Sequence, residues 1–315
     1  MILGFIEGQR AKGRAVESVC KVLREQGVQI AARTYRAWKH ASPSSRDLTD
    51  AVIVDVLRTK IGKPEGMYGR RKMTAHLRRE GLTVSKRRVD RLMRQLGMNG
   101  LIRGRGVRTT IADSTAARAP DLLDRDFTAA GPNQRWVADF TYVRTWAGFA
   151  YVAFVIDCFS RAIVGWHAAT VKTTPLVTIA LRMGLWRRDR AGHAVADGLA
   201  HHSDAGSQFT SVSFAETLTL EGIAASIGSV GDAYDNALAE STIGLFKNEA
   251  IRDGSPFRIG PLKSIDDVEW VTAEWVTWYN TSRLHSTIGD IPPDEFEASY
   301  YADLNSHSHT EMEPA

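Results

Sequence analysis

The sequence HHSDAGSQF at residues 201–209 and the sequence DNALAESTIGLFK at residues 235–247 decide how this chain is interpreted. The first follows a short apolar run and turns at Gly206, which predicts a strand that ends at Asp204. The second predicts a helix that Asp235 or Asn236 caps, with Glu240 one turn inside it. Asp204 and Glu240 are separated by 35 residues. Both carboxylates stand in contexts that suit metal binding better than solvation.

A third acid lies upstream, in the sequence RWVADFTY at residues 135–142. Alternation places Asp139 on the strand face of Val137 and Thr141. Burying an ionised carboxylate on a half-buried strand costs folding free energy unless a cation or a hydrogen-bond donor compensates its charge. Together with Asp204 and Glu240 it predicts a site of hard oxygen ligands, which suits Mg²⁺ or Mn²⁺ better than zinc. Two such ions about 3.5 to 4 Å apart support phosphoryl transfer, the chemistry of nucleases and polynucleotidyl transferases.

The chain resembles an integrase-core transposase of the DDE type, the second-frame product (OrfB) of the insertion sequence three (IS-three) family. The resemblance is carried by five motifs: WVADFTY at 136–142, IDCFSR at 156–161, HSDAGSQF at 202–209, DNALAESTIGLFK at 235–247 and WYNTSRLH at 278–285. It implies that Asp139, Asp204 and Glu240 are the catalytic residues and hold two ions. It also implies DNA cleavage and strand transfer, with element terminal inverted repeats and target DNA as partners. Assembly as a homo-oligomer on DNA and fusion with the upstream-frame product OrfA are further expectations.

The composition is that of a globular protein, with 43% hydrophobic and 24% charged residues. Cys20 and Cys158 lie among apolar neighbours and lack a partner motif, which predicts buried free thiols and no zinc site. No window approaches the roughly 18 apolar residues that a membrane span requires. We therefore expect no membrane partner and a cytoplasmic, nucleoid-associated protein.

Charge is divided unevenly along the chain. Residues 1–110 contain 25 Lys and Arg against 9 Asp and Glu, although the whole chain carries a net charge of only +4. Such a basic half indicates binding to a polyanion. We expect residues 1–45 to be helical, with a possible helix-turn-helix, and residues 46–108 to form a winged-helix-like DNA-binding region. Its second helix carries the candidate DNA contacts Arg87, Arg88, Arg91 and Arg94; a solvated basic face is the alternative.

The remaining pattern predicts an α/β catalytic half at residues 132–300, after a linker at 109–131 and before a disordered tail at 301–315. Its elements follow the order strand, strand, strand, helix, strand, helix, strand, helix. This is the order of a ribonuclease H-like fold, a mixed sheet with flanking helices, in which the tips of the first and fourth strands are adjacent. We therefore expect Asp139 and Asp204 to lie together.

Several other polar residues have two interpretations. Asp157 is expected to cap a turn or pair with Arg161 rather than bind metal. His201 and His202 favour packing and support of the site over zinc binding, and Asp232 and Asp235 favour helix capping. For Arg283 and His285 the sequence leaves two roles open, DNA contact and a structural role.

Lys247 stands close to two helical turns after Glu240 on the same face, which suits a phosphate contact; a solvated lysine is the alternative.

Two functions other than transposition are a ribonuclease H-like nuclease without joining and a non-catalytic DNA-binding regulator.

Overall fold

The computed structural model describes residues 2–101, 128–228 and 236–310, with side chains described as far as residue 306. The chain divides into two compact units, residues 1–57 and 58–315. Within the described ranges no helix is both long and apolar enough to cross a membrane. Cys20 and Cys158 are free and buried, as predicted.

The first unit is helical. Its elements are α1 (Ile2–Ala11), α2 (Val16–Glu25), α3 (Ala32–His40) and the greater part of α4 (Ser45–Lys60). Its core contains Ile6, Cys20 and Tyr35. Helix α1 lies within the range expected to be helical and is held in part by the Tyr35 hydroxyl donating to Glu7 at 2.6 Å. Helix α4 begins in a polar stretch, where Ser44 and Asp47 cap its first turn reciprocally.

The second unit begins with a helical region that leads to α5 (Arg70–Arg79) and α6 (Lys86–Gln95). Ser85 caps α6 as predicted, accepting a hydrogen bond from the Arg88 amide at 3.3 Å. The apolar side of α6, with Val89, Leu92 and Met93, is buried. Among described residues 58–101 there is no strand, so this region shows the helices of a helix-turn-helix and no wing.

A five-stranded mixed sheet follows. Its strands are β1 (Arg135–Thr145), β2 (Gly148–Asp157), β3 (Ile163–Ala169), β4 (Ala200–Ser203) and β5 (Ala224–Ile227), in the spatial order β3-β2-β1-β4-β5. The first three strands are antiparallel, whereas β4 is parallel to both β1 and β5. The apolar run of β2 is buried inside the sheet, because an interior strand covered on both faces has no side that meets water.

Helices cover both faces of this sheet. Helices α7 (Thr174–Arg190) and α8 (Val212–Leu220) contribute to a core that includes Trp136 of β1. Strand β3 and α7 approach so closely that a Cβ at Gly165 would lie 2.1 Å from the Ala180 carbonyl oxygen. On the face of Phe154 lie α9 (Ala237–Phe246) and α10 (Ile265–Thr281), whose Phe246 and Trp275 rings contact Phe154. The predicted ribonuclease H-like α/β fold is confirmed.

The last helix, α11 (Pro293–Thr310), extends ten residues beyond the point at which a disordered tail was expected. The prediction of disorder is therefore wrong for residues 301–310. Tyr300 packs against Phe159, and Tyr301 stacks on His193 with ring centroids 3.7 Å apart. These two contacts hold the start of the segment after residue 300 against the protein, although its polar composition predicts disorder.

Candidate active site

Strand pairing brings two of the predicted carboxylates together. Parallel pairing of β1 with β4 ends at Ala138 and Ser203, which are register partners. Asp139 is the next residue of β1 and Asp204 is the first residue after β4, so the two lie side by side where this pairing ends. The predicted proximity of the two acids is observed, since the charge of Asp204 acts on Asp139. The end of β4 does not meet the tip of β1, however, because β1 continues to Thr145.

The carboxyl group of Asp139 is held in an environment that disfavours its charge. Burial is the largest cause, and the nearby Asp204 and Glu240 add repulsion; together they raise the pKa of Asp139 to about 8. The Phe140 amide donates to its Oδ1 at 2.7 Å and acts in the opposite direction. The site therefore contains more negative charge than the protein itself compensates.

Asp204 stands at the mouth of the site, directly after β4. Its side chain reaches the surface, yet desolvation by the surrounding protein still raises the pKa of its carboxyl group. The Gly206 amide donates to Oδ1 at 3.1 Å, which partly offsets this effect. The predicted tight turn at Gly206 thus orients the carboxylate as well as reversing the chain.

Glu240 lies in the first turn of α9 and is exposed. Asn236, at the start of this helix, does not cap it with its side chain. Instead its Nδ2 donates to the carbonyl oxygen of Ala138 at 2.9 Å, in a buried contact across 98 residues of sequence. Of the two predicted caps, Asn236 is therefore not one, because its side chain is directed to a tertiary partner and its Oδ1 accepts no hydrogen bond from the helix. Asp232 and Asp235 lie outside the described residues.

The donor set fits a divalent cation by its chemistry. Carboxylate oxygens are the ligands that Mg²⁺ and Mn²⁺ prefer, and a cation would offset the burial and the repulsion that raise the pKa of Asp139. As placed, the described residues contain no group of three or more His, Cys, Asp or Glu that could hold a metal ion together. Asp204 and Glu240 are near enough for their charges to act on Asp139, although the three carboxylates do not form a closed metal site in this arrangement of the described residues.

Lys247 follows α9, at the start of a turn with π-type hydrogen bonds at Lys247–Ile251. Its Nζ lies 4.9 Å from the ring centroid of Tyr142. Burial lowers the pKa of this lysine, and the charge of Asp139 opposes that effect. Glu240 and Lys247 are both exposed while Phe246 is buried, in agreement with the predicted division of this helix into two faces. Asn236, at the start of the same helix, is buried.

Asp157 is a structural carboxylate. It is fully buried, and its oxygens accept hydrogen bonds from the Asn133 amide at 2.7 Å, the Phe159 amide at 2.8 Å and the Trp136 indole at 3.1 Å. Its carboxylate also lies 3.5 Å from the guanidinium of Arg188. The turn-capping interpretation is confirmed by these contacts, whereas the ion-pair partner is Arg188 and not the expected Arg161.

The two histidines before Asp204 support the sheet. His201 is buried against the rings of Phe209 and Phe214, and desolvation lowers its pKa to about 4. The Nδ1 atom of His202 lies 2.8 Å from the hydroxyl of Ser226 on β5. Both therefore have the packing and supporting roles that were predicted.

Arg283 and His285 are buried in the second unit. The guanidinium of Arg283 donates to both oxygens of Glu249, at 2.7 and 2.9 Å. His285 has an Nε2 atom 3.2 Å from the Tyr279 carbonyl oxygen, and burial lowers its pKa well below the usual value. Of the two open alternatives, these contacts support the structural one, and Glu249 is the partner that no sequence motif indicated.

The candidate DNA contacts of α6 divide by exposure. Arg87 and Arg94 are exposed, whereas Arg88 and Arg91 are partly buried. The side chain of Arg94 donates to Asp90 at 2.7 Å. The further basic residues Arg103, Arg105 and Arg108 lie outside the described residues.

Comparison with protein families matches the chain in three places. An integrase core domain model matches residues 129–233, a second integrase core domain model matches residues 221–293, and an HTH-like domain model matches residues 54–106. Together with the sheet order and the paired carboxylates, these matches define a polynucleotidyl transferase of the DDE integrase superfamily.

Two relatives of known sequence identify the family within this superfamily. The candidate transposase of insertion sequence element IS986/IS6110 from Mycobacterium tuberculosis is 46% identical over 273 residues, covering 87% of this chain and 96% of the relative. Transposase InsF of insertion sequence IS3A from Escherichia coli is 29% identical over 295 residues, covering 93% and 97%. The chain belongs to the IS-three family of insertion-sequence transposases.

Solved structures with the same type of core are more distant. The simian T-cell lymphotropic virus intasome in complex with a PP2A regulatory subunit has a TM-score of 0.44 at 13% identity, covering 73% of this chain and 70% of that one. The HTLV-2 integrase catalytic core in complex with magnesium has a TM-score of 0.40 at 17% identity, covering 53% and 98%.

Proposed function

We propose that this transposase cleaves DNA at an element end to free a 3′-hydroxyl and then joins that hydroxyl to target DNA, using Asp139, Asp204 and Glu240. The observation that carries the proposal is the parallel pairing of β1 and β4, which sets Asp139 beside Asp204. Two Mg²⁺ or Mn²⁺ ions, when bound, would activate the attacking oxygen and stabilise the leaving oxygen.

The chain's own residues have distinct tasks in this scheme. Asp139 and Asp204 provide carboxylate oxygens from a rigid sheet edge, and their repulsion supports cation binding. Glu240 provides the third carboxylate from a helix that Asn236 ties to β1. Lys247, exposed beyond the same helix, binds the phosphate next to the scissile one.

DNA is held mainly by the helix-turn-helix region. Arg87, Arg88, Arg91 and Arg94 on α6 contact phosphates first and base edges second. The bound sequences are the terminal inverted repeats and the target DNA, and the protein acts as a homo-oligomer on them. The upstream-frame product OrfA is a further partner, and the protein works in the cytoplasm at the nucleoid.

The test uses the full chain, a labelled duplex carrying the element end, and a target duplex in the presence of Mg²⁺. Asp139→Asn, Asp204→Asn and Glu240→Gln are each expected to lower cleavage and joining by roughly a thousandfold or more, because losing a ligand removes several kcal/mol of transition-state stabilisation. DNA affinity stays near the wild-type value. Glu216→Gln, at an exposed glutamate of α8, is the matched control.

The outcomes separate the candidate functions. Cleavage without joining by the wild-type chain would identify a nuclease, and DNA binding without either reaction would identify a regulator. Near-normal joining by any one of the three variants would remove that residue from the catalytic set.

A further inference from the structure

The far end of the β1–β2 hairpin presents an open sheet face that the proposed chemistry does not use. Tyr142 and Phe149 are each 51% exposed there, and Trp146 at the tip is 74% exposed. The Tyr142 and Phe149 rings meet edge to face, with centroids 5.5 Å apart. On the opposite face of the same hairpin Thr141, Val143 and Val152 are buried, so only one side is left open.

This face is basic as well as aromatic. Arg144 is the register partner of Phe149 and is exposed, and Tyr142 is the register partner of Tyr151. The ammonium group of Lys247 lies 4.9 Å from the Tyr142 ring centroid. We define the hairpin platform as Tyr142, Arg144, Phe149 and Tyr151. These four residues combine π faces with positive charge and carry no acid.

The hairpin platform lies close to Asp139 along β1, but on the opposite face of the sheet. Pairing of β1 with β4 ends at Ala138, so a DNA strand can pass from one face to the other along this side of β1, where Tyr142 follows Asp139 by three residues. At about 3.3 Å per residue this is about 10 Å, the length of roughly three stacked nucleotides. Lys247 connects the two places, since its amino group lies over Tyr142 while its charge acts on Asp139.

We infer that the hairpin platform binds unpaired nucleotides of the DNA strand that enters the active site, by stacking bases on Tyr142 and Phe149 with Arg144 and Lys247 against the phosphates. Exposed aromatic rings beside cations are how proteins hold single-stranded nucleic acid without reading its sequence. The inference rests on the proposed function, because it takes DNA to be the substrate at the three acids.

The test measures binding by the full chain carrying Asp139→Asn, so that no cleavage occurs. One DNA is a fully paired element end, and the other has a few unpaired terminal nucleotides that contain 2-aminopurine. The parent chain is expected to bind the unpaired end more tightly and to quench the 2-aminopurine. Adding Tyr142→Ala or Phe149→Ala is expected to lower affinity for the unpaired end by roughly five- to tenfold and to abolish quenching, with paired DNA changed by less than about twofold.

Conservative and matched variants keep this test interpretable. Tyr142→Phe retains a stacking ring and should retain both affinity and quenching. Trp186→Ala removes an exposed ring that also has a cation near it, with the Arg190 guanidinium 5.8 Å from the centroid, and should change neither. Circular dichroism and the melting temperature confirm that each variant is folded.

Three results would overturn the inference. The first is unchanged quenching in both alanine variants, and the second is an equal loss of affinity for paired and unpaired DNA. The third is a different oligomeric mass of the DNA-free alanine variants from that of the parent chain, which would identify the face as an interface between copies. A failure of the proposed function is seen separately, as cleavage that survives in the Asp139→Asn chain. The quenching measurement does not depend on cleavage.

Discussion

The side-chain amide of Asn236 donates to the carbonyl oxygen of Ala138 at 2.9 Å, and these residues precede Glu240 and Asp139 respectively. A single buried hydrogen bond therefore joins the helix that carries one acid to the strand that carries another. Helix α9 also meets the sheet through apolar contacts such as Phe246 with Phe154, and this bond adds a polar contact at the first turn of the helix.

Asn236→Ala is expected to lower joining by about 10- to 100-fold and to raise the Mg²⁺ concentration needed for half-maximal rate, because Glu240 loses its anchor. DNA affinity should stay unchanged. Asn248→Ala is the matched control, since that amide donates to the Gly244 carbonyl of its own helix at 2.7 Å. If Asn236→Ala lost activity with an unaltered Mg²⁺ requirement, the bond would serve stability alone.

The sheet and two of its carboxylates could be predicted because local patterns determine them. Alternation on β1 and the apolar run of β2 set which faces are covered, and the strand order then places Asp139 beside Asp204. Asn236 could not be predicted in the same way. Its capping preference is a local property, and the Ala138 carbonyl that takes its amide is 98 residues away.

The same reason explains the other differences. Helix α11 extends beyond residue 300 because Tyr301 stacks on His193, a contact that composition does not reveal. Arg283 belongs to a motif, yet only the fold shows that Glu249 neutralises it in the interior. Local signals therefore predict elements, whereas partners between distant residues require the assembled structure.

A buried ion pair holds α11 to the catalytic core. Arg188 donates to Glu297 at 2.7 Å, and both residues are less than 10% exposed. Glu297→Gln is expected to lower the free energy of unfolding by about 3 to 5 kcal/mol, because it leaves Arg188 buried without its main counter-charge. Chemical denaturation of the full chain measures this.

The same helix provides the control for that prediction. Glu295 pairs with Arg79 in an exposed position, with side chains 45% and 40% exposed. Glu295→Gln should cost no more than about 1 kcal/mol. Equal effects of the two substitutions would show that burial does not set the strength of the Glu297 pair.

Lys72 predicts a pH dependence of stability. Desolvation, followed by repulsion from Arg283, lowers the pKa of Lys72 from 10.5 to about 8. Below pH 8 Lys72 is charged in the folded protein, and burying that charge lowers the free energy of unfolding. Between pH 8 and about 10 the unfolded chain binds more protons than the folded protein, so the free energy of unfolding increases with pH. The stability of wild type relative to Lys72→Met should therefore increase over that range. Lys63→Met, at an exposed lysine, should show no such trend.

Salt dependence tests the role of α6. Each phosphate that an arginine neutralises adds about 0.9 to the magnitude of the slope of log affinity against log salt concentration. Arg87→Ala and Arg91→Ala should each reduce that magnitude by about one in the full chain. Arg182→Ala, at an exposed arginine of α7, should leave the slope unchanged. If the slope were unchanged by the α6 substitutions, the DNA phosphates would be bound by another part of the protein.

Lys247 provides the sharpest test of how DNA passes the acids. Its amino group lies near both the Tyr142 ring and the charge of Asp139, and we propose that it contacts a phosphate beside the scissile one without ligating an ion. Losing a charged hydrogen bond to phosphate costs about 1.5 to 3 kcal/mol, or roughly 10- to 100-fold. Lys247→Ala should weaken binding of the terminal nucleotides and cut joining by that factor, whereas Lys247→Arg should be partly tolerated.

Two measurements distinguish this role from an exposed lysine without function. The Mg²⁺ dependence of joining should be the same in Lys247→Ala as in wild type, because the lysine contributes no ligand. Arg252→Ala removes another exposed cation five residues further along and should leave joining intact. Wild-type joining by Lys247→Ala at limiting DNA would show that its amino group makes no contact with the reacting strand.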